Sequence, residues 1–269
     1  MSMSPARRWL VLRLEAPLLS FGAVAIDNYG VTWDFPALSM LTGLFANALG
    51  YERIECEAHQ ALQDRIVFAS RREDEPYHGV LTDVQNVHMQ KSDKGWTTRG
   101  TPEGRDGGSY GGPHRRFRDY HPDALVAVVL TLHLPPDHAL PAGRHHPTLD
   151  DLAAALDRPE RPLFIGRKPC LPAWPLNAGL IEAETAHDAL LKLPALMDLS
   201  KREPRKTGDL RAQWPAGDGP DQGAGVDRGL AIHDRRNWIS GLHGGTRRVI
   251  EGRLAPPAPP PTADGEVAT

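Results

Sequence analysis

The chain has 269 residues, of which 40% are apolar and 24% charged, as in an ordinary globular protein. Its net charge is −3, so binding to a polyanion has to come from local basic patches. Cys56 and Cys170 lie far apart, which argues against a disulfide framework or a structural zinc site and suits a reducing cytoplasm. No stretch approaches about 18 consecutive apolar residues, so we expect no membrane span.

The first part of the chain alternates strand and helix signals. Residues 9–15 are rich in β-forming side chains and predict a strand. In residues 35–50, apolar side chains recur at helical spacing, Pro36 suits a first turn, and Gly50 suits the position after the last turn. These features predict a helix. Further strands are predicted at 65–70 and 79–89.

The middle of the chain continues the alternation. Residues 124–134 predict a buried strand, and residues 148–157 predict a short helix that Thr148 caps together with Asp151. A further short strand is predicted at 162–166. The resulting order approximates βαββαβ, so the sequence predicts an α+β fold with a ferredoxin-like core.

The segments outside this pattern are irregular. Residues 91–112 have no periodic apolar face and contain seven glycines, which favours a functional or disordered insertion. We predict one domain over 1–252, followed by a disordered tail over 253–269. In its last third we expect a helix at 184–198, a polar variable loop at 201–225, and closing strands at 228–234 and 247–253.

Short catalytic and nucleotide-binding motifs are missing from the sequence. It has no GxxxxGK[ST], GxSxG, HExxH or GxGxxG pattern. A standard kinase, hydrolase or dehydrogenase is therefore disfavoured, and we expect no catalytic residue, bound metal or cofactor.

Clustered positive charge is the main chemical signal. Residues 84–121 hold seven Lys/Arg and four Asp/Glu, a net +3, and residues 229–253 hold five and two, again +3. Arginine offers a planar donor fork to phosphate, and glycine lets backbone N–H groups approach closely. Phe117, Tyr120 and Trp96 could stack on unpaired bases, and Phe117 and Tyr120 could equally anchor the segment to the core. Such runs are also often plain solvated faces.

Four segments together resemble the CasD type of the Cas-five family, a subunit of type I-E CRISPR Cascade complexes. They span about residues 9 to 176, and the last third resembles the family only loosely. The segments are LVLRLEAPLLSFG (10–22), FPALSMLTGLFANALG (35–50), RRFRDYHPDALVAVVL (115–130) and PLFIGRKPCLPAWPL (162–176).

The resemblance implies a modified RRM, or ferredoxin-like, core with a long β-hairpin thumb over about 84–121. It implies a non-catalytic cytoplasmic protein that binds the 5′ handle of CRISPR RNA. The implied neighbours are the Cas-seven backbone subunits, which it caps, and the large Cas-eight type subunit that reads the PAM. Target DNA would be contacted through the whole complex, and no membrane is involved.

The candidate RNA-binding residues lie in four places. The loop after the first strand adjoins a helix start whose N–H groups could hold a phosphate. The others are the 84–121 insertion and the turn after the predicted strand at 162–166. The candidates are Ser20, Phe21, Gly22, Ser39, His88, Arg115, Arg116, Arg118, Gly166, Arg167 and Lys168.

Two other functions stay open. A metal-independent endoribonuclease acting on precursor CRISPR RNA needs a general acid and a general base. Its candidates are His88, Tyr110, His114, His121 and Lys168, and no spacing singles out a pair. An unrelated RNA-binding module would bind RNA without CRISPR partners.

Overall fold

A computed structural model gives the fold. It describes residues 6–24, 26–75, 79–88, 95–96, 102–103, 113–137, 140–193 and 208–255.

The described elements are strands with four helices and one short 3-10 turn. The helices are α1 (Leu38–Ala48), α2 (Cys56–Arg65), α3 (Leu149–Asp157) and α4 (Ala186–Lys192), with the 3-10 turn at Pro141–Gly143. The strands are β1 (Arg7–Glu15), β2 (Leu18–Leu19), β3 (Tyr29–Gly30), β4 (Ile66–Asp74), β5 (Leu81–Val87), β6 (Gly95–Trp96), β7 (Pro102–Glu103), β8 (His114–Pro122), β9 (Leu125–Leu132), β10 (Asn177–Ala183), β11 (Leu210–Pro215), β12 (Val226–Ile232) and β13 (Arg247–Leu254).

A seven-stranded sheet organises the molecule, in the order β10-β1-β9-β4-β11-β13-β12. Every neighbouring pair in it is antiparallel. One face packs against α1 and α3 through residues such as Leu12, Phe45 and Leu152. The other face packs against α4 through residues such as Trp9 and Leu190. The predicted α+β class is confirmed.

The two best-predicted helices form where their signals lie. In α1, Leu41 and Phe45 are fully buried, and Gly50 follows the helix end with φ +73°, a conformation that glycine adopts without strain. In α3, the Thr148 hydroxyl accepts from the Asp151 N–H at 3.1 Å, and the Asp151 carboxylate accepts from the Thr148 N–H at 2.8 Å. This is the predicted capping box.

A smaller sheet stands beside the first one and is built on β8. β5 and β3 pair along opposite edges of β8, and β2 pairs with the last two residues of β8. The predicted strand at 79–89 is therefore present as β5. Of the 91–112 insertion, only β6 and β7 are described, as a two-stranded antiparallel pair, and the rest lies outside the described residues.

The strand predicted at 162–166 is wrong. Ile165 is fully buried, but its N–H donates to the Cys170 carbonyl at 2.7 Å, which closes a local turn. Gly166 then has φ +87°, outside any strand conformation. The strand that follows α3 and pairs with β1 is β10 instead.

The loop predicted at 201–225 is also wrong in part. Ala212 and Trp214 are fully buried and Gln213 between them is 5% exposed, because Leu210–Pro215 is the inner strand β11, which lies between β4 and β13. Residues 201–207 lie outside the described residues, as does the predicted helix beyond residue 193. The predicted closing strands are β12 and β13.

Candidate nucleic-acid interface

Strand β8 carries most of the candidate interface, and its two faces carry different side chains. Successive residues of a strand point to opposite faces, so Arg116 and Arg118 share one face while Arg115 and Phe117 share the other. The register with β5 is unbroken from Leu81 to Val87, so this alternation holds along the hairpin. The arginines that the sequence places side by side are therefore divided between two surfaces.

Arg115 and Arg116 are exposed cations. Neither guanidinium has a hydrogen bond or ion pair among the described residues. Arg118 is half-buried, and its side chain packs on Gly30, where an added Cβ would lie 2.7 Å from Nη1. Two of the three predicted contacts on β8 are thus open to solvent, and the third lies partly against β3.

Arg167 is held by the protein's own backbone. Its guanidinium donates to the Asp119 carbonyl at 2.9 Å and to the Gly30 carbonyl at 2.6 Å. It also lies 5.0 Å from the centre of the Tyr120 ring. The visible role of Arg167 is to fasten the 163–170 turn to β3 and β8, and its RNA contact stays a prediction.

Gly166 and Ser20 touch through their main chains. A Cβ on Gly166 would lie 1.6 Å from the Ser20 carbonyl oxygen, so no other residue fits there. The Ser20 N–H points to the Ile165 carbonyl at 3.4 Å. The loop after β1 and the 163–170 turn are about 145 residues apart in sequence. The fold thereby brings them together beside β8, so these two groups of candidate RNA-binding residues are neighbours.

Phe21 and Gly22 shape this loop from inside. The Phe21 ring is fully buried against His121, with centroids 5.2 Å apart, so it serves the core and is not exposed for stacking. The Gly22 carbonyl accepts from the Trp33 N–H at 2.8 Å. Their RNA-binding roles stay predictions.

The prediction that the start of α1 offers free N–H groups is wrong. The Leu38 N–H donates to the Asp234 carboxylate at 3.0 Å, and the Ser39 N–H donates to the Asp234 carbonyl at 2.9 Å. The next N–H, of Met40, bonds to the Ala37 carbonyl. A protein carboxylate already occupies the place where a phosphate was expected, because it satisfies the same orphan donors.

Lys168 and His88 are exposed at two ends of the interface. Lys168 lies in the turn that Arg167 fastens beside β8, and no partner of its side chain is found in the described part of the chain. His88 follows the last residue of β5. Lys168 therefore joins Arg115 and Arg116 as an available cation.

Three of the five arginines in the second basic stretch, 229–253, form ion pairs with carboxylates. Arg247 forms an ion pair with Asp234 at 2.8 Å, inside the protein. Arg235 forms an ion pair with Asp64. These arginines hold β13 and the preceding loop to α1 and α2, so this stretch does not form the free basic face that its charge suggests.

Two of the nuclease candidates, His88 and His114, lie near each other at one end of the β5–β8 pair, because His114 is the direct partner of Val87. His121 lies toward the other end of β8 and inside the protein. His121 is 3% exposed, and its Nε2 lies 2.9 Å from the Trp33 carbonyl. Burial lowers the pKa of His121, and Arg72 acts in the same direction. Tyr110 lies outside the described residues. His121 is therefore shielded from an RNA backbone.

Two residues of the interface, Tyr29 and Asn86, are not among the candidates predicted from the sequence. Tyr29 pairs with Phe117 across β3 and β8, and their rings stack at 4.6 Å with an 8° interplanar angle. Asn86 is exposed opposite Arg115. Asp27 and Asn28 are turn-forming residues just before Tyr29, and they are the one local sequence signal for the tight turn that leads into β3.

Comparison with known proteins places this geometry in a family. The model of the family described as CRISPR-associated protein (Cas_Cas5) matches residues 9–250. The curated protein "CRISPR system Cascade subunit CasD" of Escherichia coli (strain K12) is 28% identical over 185 residues, 69% of this chain and 76% of that protein.

Two solved structures share the fold. A chain of a structure titled "CRISPR RNA-guided surveillance complex" superposes with a TM-score of 0.62 at 19% identity, covering 93% of this chain and 91% of that one. A "Crystal structure of Cas protein" superposes at 0.55 and 23% identity, covering 95% and 100%.

The sequence and the fold are thus those of a CRISPR-associated protein. More closely, since the family model matches most of its length, the chain belongs to the Cas-five family. The resemblance seen in the four sequence segments is confirmed.

Proposed function

We propose that this protein is a non-catalytic subunit of a type I-E Cascade complex that binds the 5′ handle of the CRISPR RNA. Its similarity to a curated Cascade subunit supports the assignment to such a complex. In this role the protein caps the Cas-seven backbone beside the Cas-eight type subunit and meets target DNA through the assembled complex in the cytoplasm.

The arrangement of strands supports an RRM-like core with a thumb. The strands β1, β4, β9 and β10 are the first, second, third and fourth of a βαββαβ order, and they lie side by side as β10-β1-β9-β4. α1 and α2 connect the first two strands and α3 connects the last two. In this proposal the β5–β8 hairpin is the base of the thumb, and the domain spans about 1–252 before the tail.

One observation carries the RNA-binding role. Arg115, Arg116 and Lys168 are exposed and have no protein partner among the described residues. A guanidinium that is already paired gains little from a phosphate, whereas an unpaired one can release counterions from the RNA. The hairpin and the adjoining turn therefore present cations that are ready to neutralise a backbone.

A charge-matched pair of variants tests the proposal. Arg115→Ala/Arg116→Ala removes two positive charges from the hairpin, and Arg53→Ala/Arg158→Ala removes two exposed ones elsewhere. Affinity for handle RNA is measured for each over a series of salt concentrations. We expect at least a tenfold loss for the hairpin variant, and the slope of log affinity against log salt falls by about 1.4, because each phosphate contact contributes about 0.7.

The control variant has the same net charge as the hairpin variant but keeps Arg115 and Arg116, so it should bind like the unmodified protein. Equal losses in both variants would mean that only net charge matters. Unchanged affinity of the hairpin variant would refute the proposed site. Assembly with the other subunits, measured by size exclusion, gives a second readout.

The endoribonuclease alternative has a direct test. Purified protein is incubated with repeat RNA in EDTA, and the products are separated on a gel. We expect intact RNA, since the fold buries His121. Defined cleavage products would establish the alternative.

A further inference from the structure

The face of β8 opposite Arg116 carries a stacked aromatic pair. The rings of Tyr29 and Phe117 lie 4.6 Å apart and almost parallel. Tyr29 is 51% exposed, and Val84, opposite Phe117 on β5, is also 51% exposed. Burial of large side chains normally stabilises a fold, so an aromatic ring left half in solvent on a strand is a candidate contact surface.

The backbone fixes the position of this pair. The Phe117 N–H donates to the Asn28 carbonyl at 3.0 Å, and Tyr29 and Phe117 are direct partners in the parallel β3–β8 ladder. Ile26 and Tyr29 exchange two backbone hydrogen bonds, at 3.0 and 2.9 Å, across a tight turn in which Asp27 has φ +52°. The ring surface is therefore held in place before any ligand arrives.

A cation and an amide lie one step along the same face. Arg115 precedes Phe117 by two residues, which is about 6.8 Å along a strand. Asn86 is the direct partner of Arg115 across the hairpin. A nucleotide places its phosphate and its base at a similar separation, so one unit could meet the guanidinium and the rings together. An amide beside them can hydrogen-bond to a base edge.

We propose that Tyr29 and Phe117 form a stacking site for one unpaired base of single-stranded RNA. Arg115 binds the adjoining phosphate, and Asn86 hydrogen-bonds to the edge of the base. The site rests on the proposed RNA-binding function and deepens it. A protein partner would be the other occupant of such a face, but the cation and the amide beside the rings favour a nucleotide over an apolar side chain.

The first measurement uses the unmodified full chain. Handle RNA is prepared with a single 2-aminopurine at each position in turn, because the fluorescence of this base is quenched when it stacks. We expect one position to be quenched on binding. Tyr29→Leu/Phe117→Leu should remove this quenching, and Tyr29→Phe should keep it, since the ring remains.

The second measurement pairs the protein change with an RNA change. The quenched position is replaced by an abasic site, and the affinity of both proteins is measured for both RNAs. Stacking on aromatic side chains predicts about a tenfold loss for the abasic RNA with the unmodified protein. The Leu/Leu variant should lose as much with intact RNA and show no further loss with abasic RNA.

Leu134→Ala/Ile239→Ala is the matched control, since it removes two exposed apolar side chains that lie outside the hairpin. It should behave like the unmodified protein. The unfolding midpoint of each variant shows whether the hairpin is intact, and Tyr29→Phe keeps the test valid if the Leu/Leu variant is destabilised.

The other outcomes overturn the stacking site and separate it from the proposed function. If Arg115→Ala/Arg116→Ala weakens RNA binding but the Leu/Leu variant does not, the stacking site is wrong and the function stands. If the Leu/Leu variant binds RNA normally but fails to join the complex, the face docks a protein. If unmodified protein does not bind handle RNA, both proposals fall.

Discussion

Arg167 and Arg116 both lie beside β8, but their guanidinium groups have different surroundings. Arg167 donates to the carbonyls of Asp119 and Gly30, and it lies against the Tyr120 ring. Arg116 points into solvent with no partner in the described part of the protein. Arginine therefore serves two purposes in this chain: some arginines hold structural elements together through hydrogen bonds, and others are exposed and are candidates for binding phosphate.

The largest loss of stability is expected when the ion pair between Asp234 and the buried Arg247 of β13 is broken. Asp234→Ala leaves Arg247 unpaired inside the protein and also uncaps α1. Breaking a buried ion pair costs about 3–5 kcal/mol, so we expect a loss of that size in the free energy of unfolding. Urea titration measures it.

Asp234→Asn is the control for that change, because an amide oxygen can still cap α1 while the charge is lost. It should lose less stability than Asp234→Ala. Equal losses would show that the cap on α1 contributes little and that the ion pair with Arg247 accounts for the loss. A loss well below the expected range in both variants would show instead that the ion pair contributes little to stability.

Arg167→Ala should come next. It removes charged hydrogen bonds to main-chain carbonyls, which are worth about 1.5–3 kcal/mol where a charge is involved. We expect a loss of about 2 kcal/mol in urea titration. If stability is unchanged while RNA affinity falls, Arg167 belongs with the free arginines instead.

Arg116→Ala is the counterpart on the same strand. Surface substitutions without partners change stability by about 0.5 kcal/mol or less, so its unfolding curve should overlay that of the unmodified protein. A clear destabilisation would reveal a structural partner for Arg116 and would weaken its assignment to RNA.

The last prediction concerns the positive charge that protonation of His121 would create inside the protein. Burial lowers the pKa of His121 in the folded state, so the unfolded state holds more protons near its ordinary pKa of about 6.5. Stability should therefore fall as the pH decreases below that value. Thermal unfolding at pH 7.5 and 5.5 measures the difference, and His121→Gln should reduce it; the same difference in both proteins would assign it to other groups.

Much of the fold can be predicted from the sequence because the residues that determine each element lie within or next to it. Thr148 and Asp151 cap α3 within four residues, and the apolar spacing of α1 needs only its own turns. α2 was missed because three of its five buried residues, His59, Gln63 and Arg65, are polar, so that only Ala58 and Leu62 mark its inner face as apolar. The strand wrongly placed at Ile165 is apolar because it is buried, yet its backbone bonds close a turn.

The site is harder to read because its contacts are distant in sequence. Nothing near Arg167 indicates that its acceptors are carbonyls 48 and 137 residues away. The run of Arg115, Arg116 and Arg118 looks like a single patch until strand alternation divides it. Tyr29 gains its significance only when β3 pairs with β8.

The cap on α1 also affects the order in which contacts form while the chain is being synthesised. Asp234 is 196 residues beyond Leu38, the first residue that it caps. At about 5–20 residues per second, a ribosome needs roughly 10–40 s to add that length. During this interval the helix has to persist, or re-form, with its first N–H groups facing water. The nascent chain therefore acquires its closing contact late, when β13 arrives with Arg247 to hold Asp234 in place.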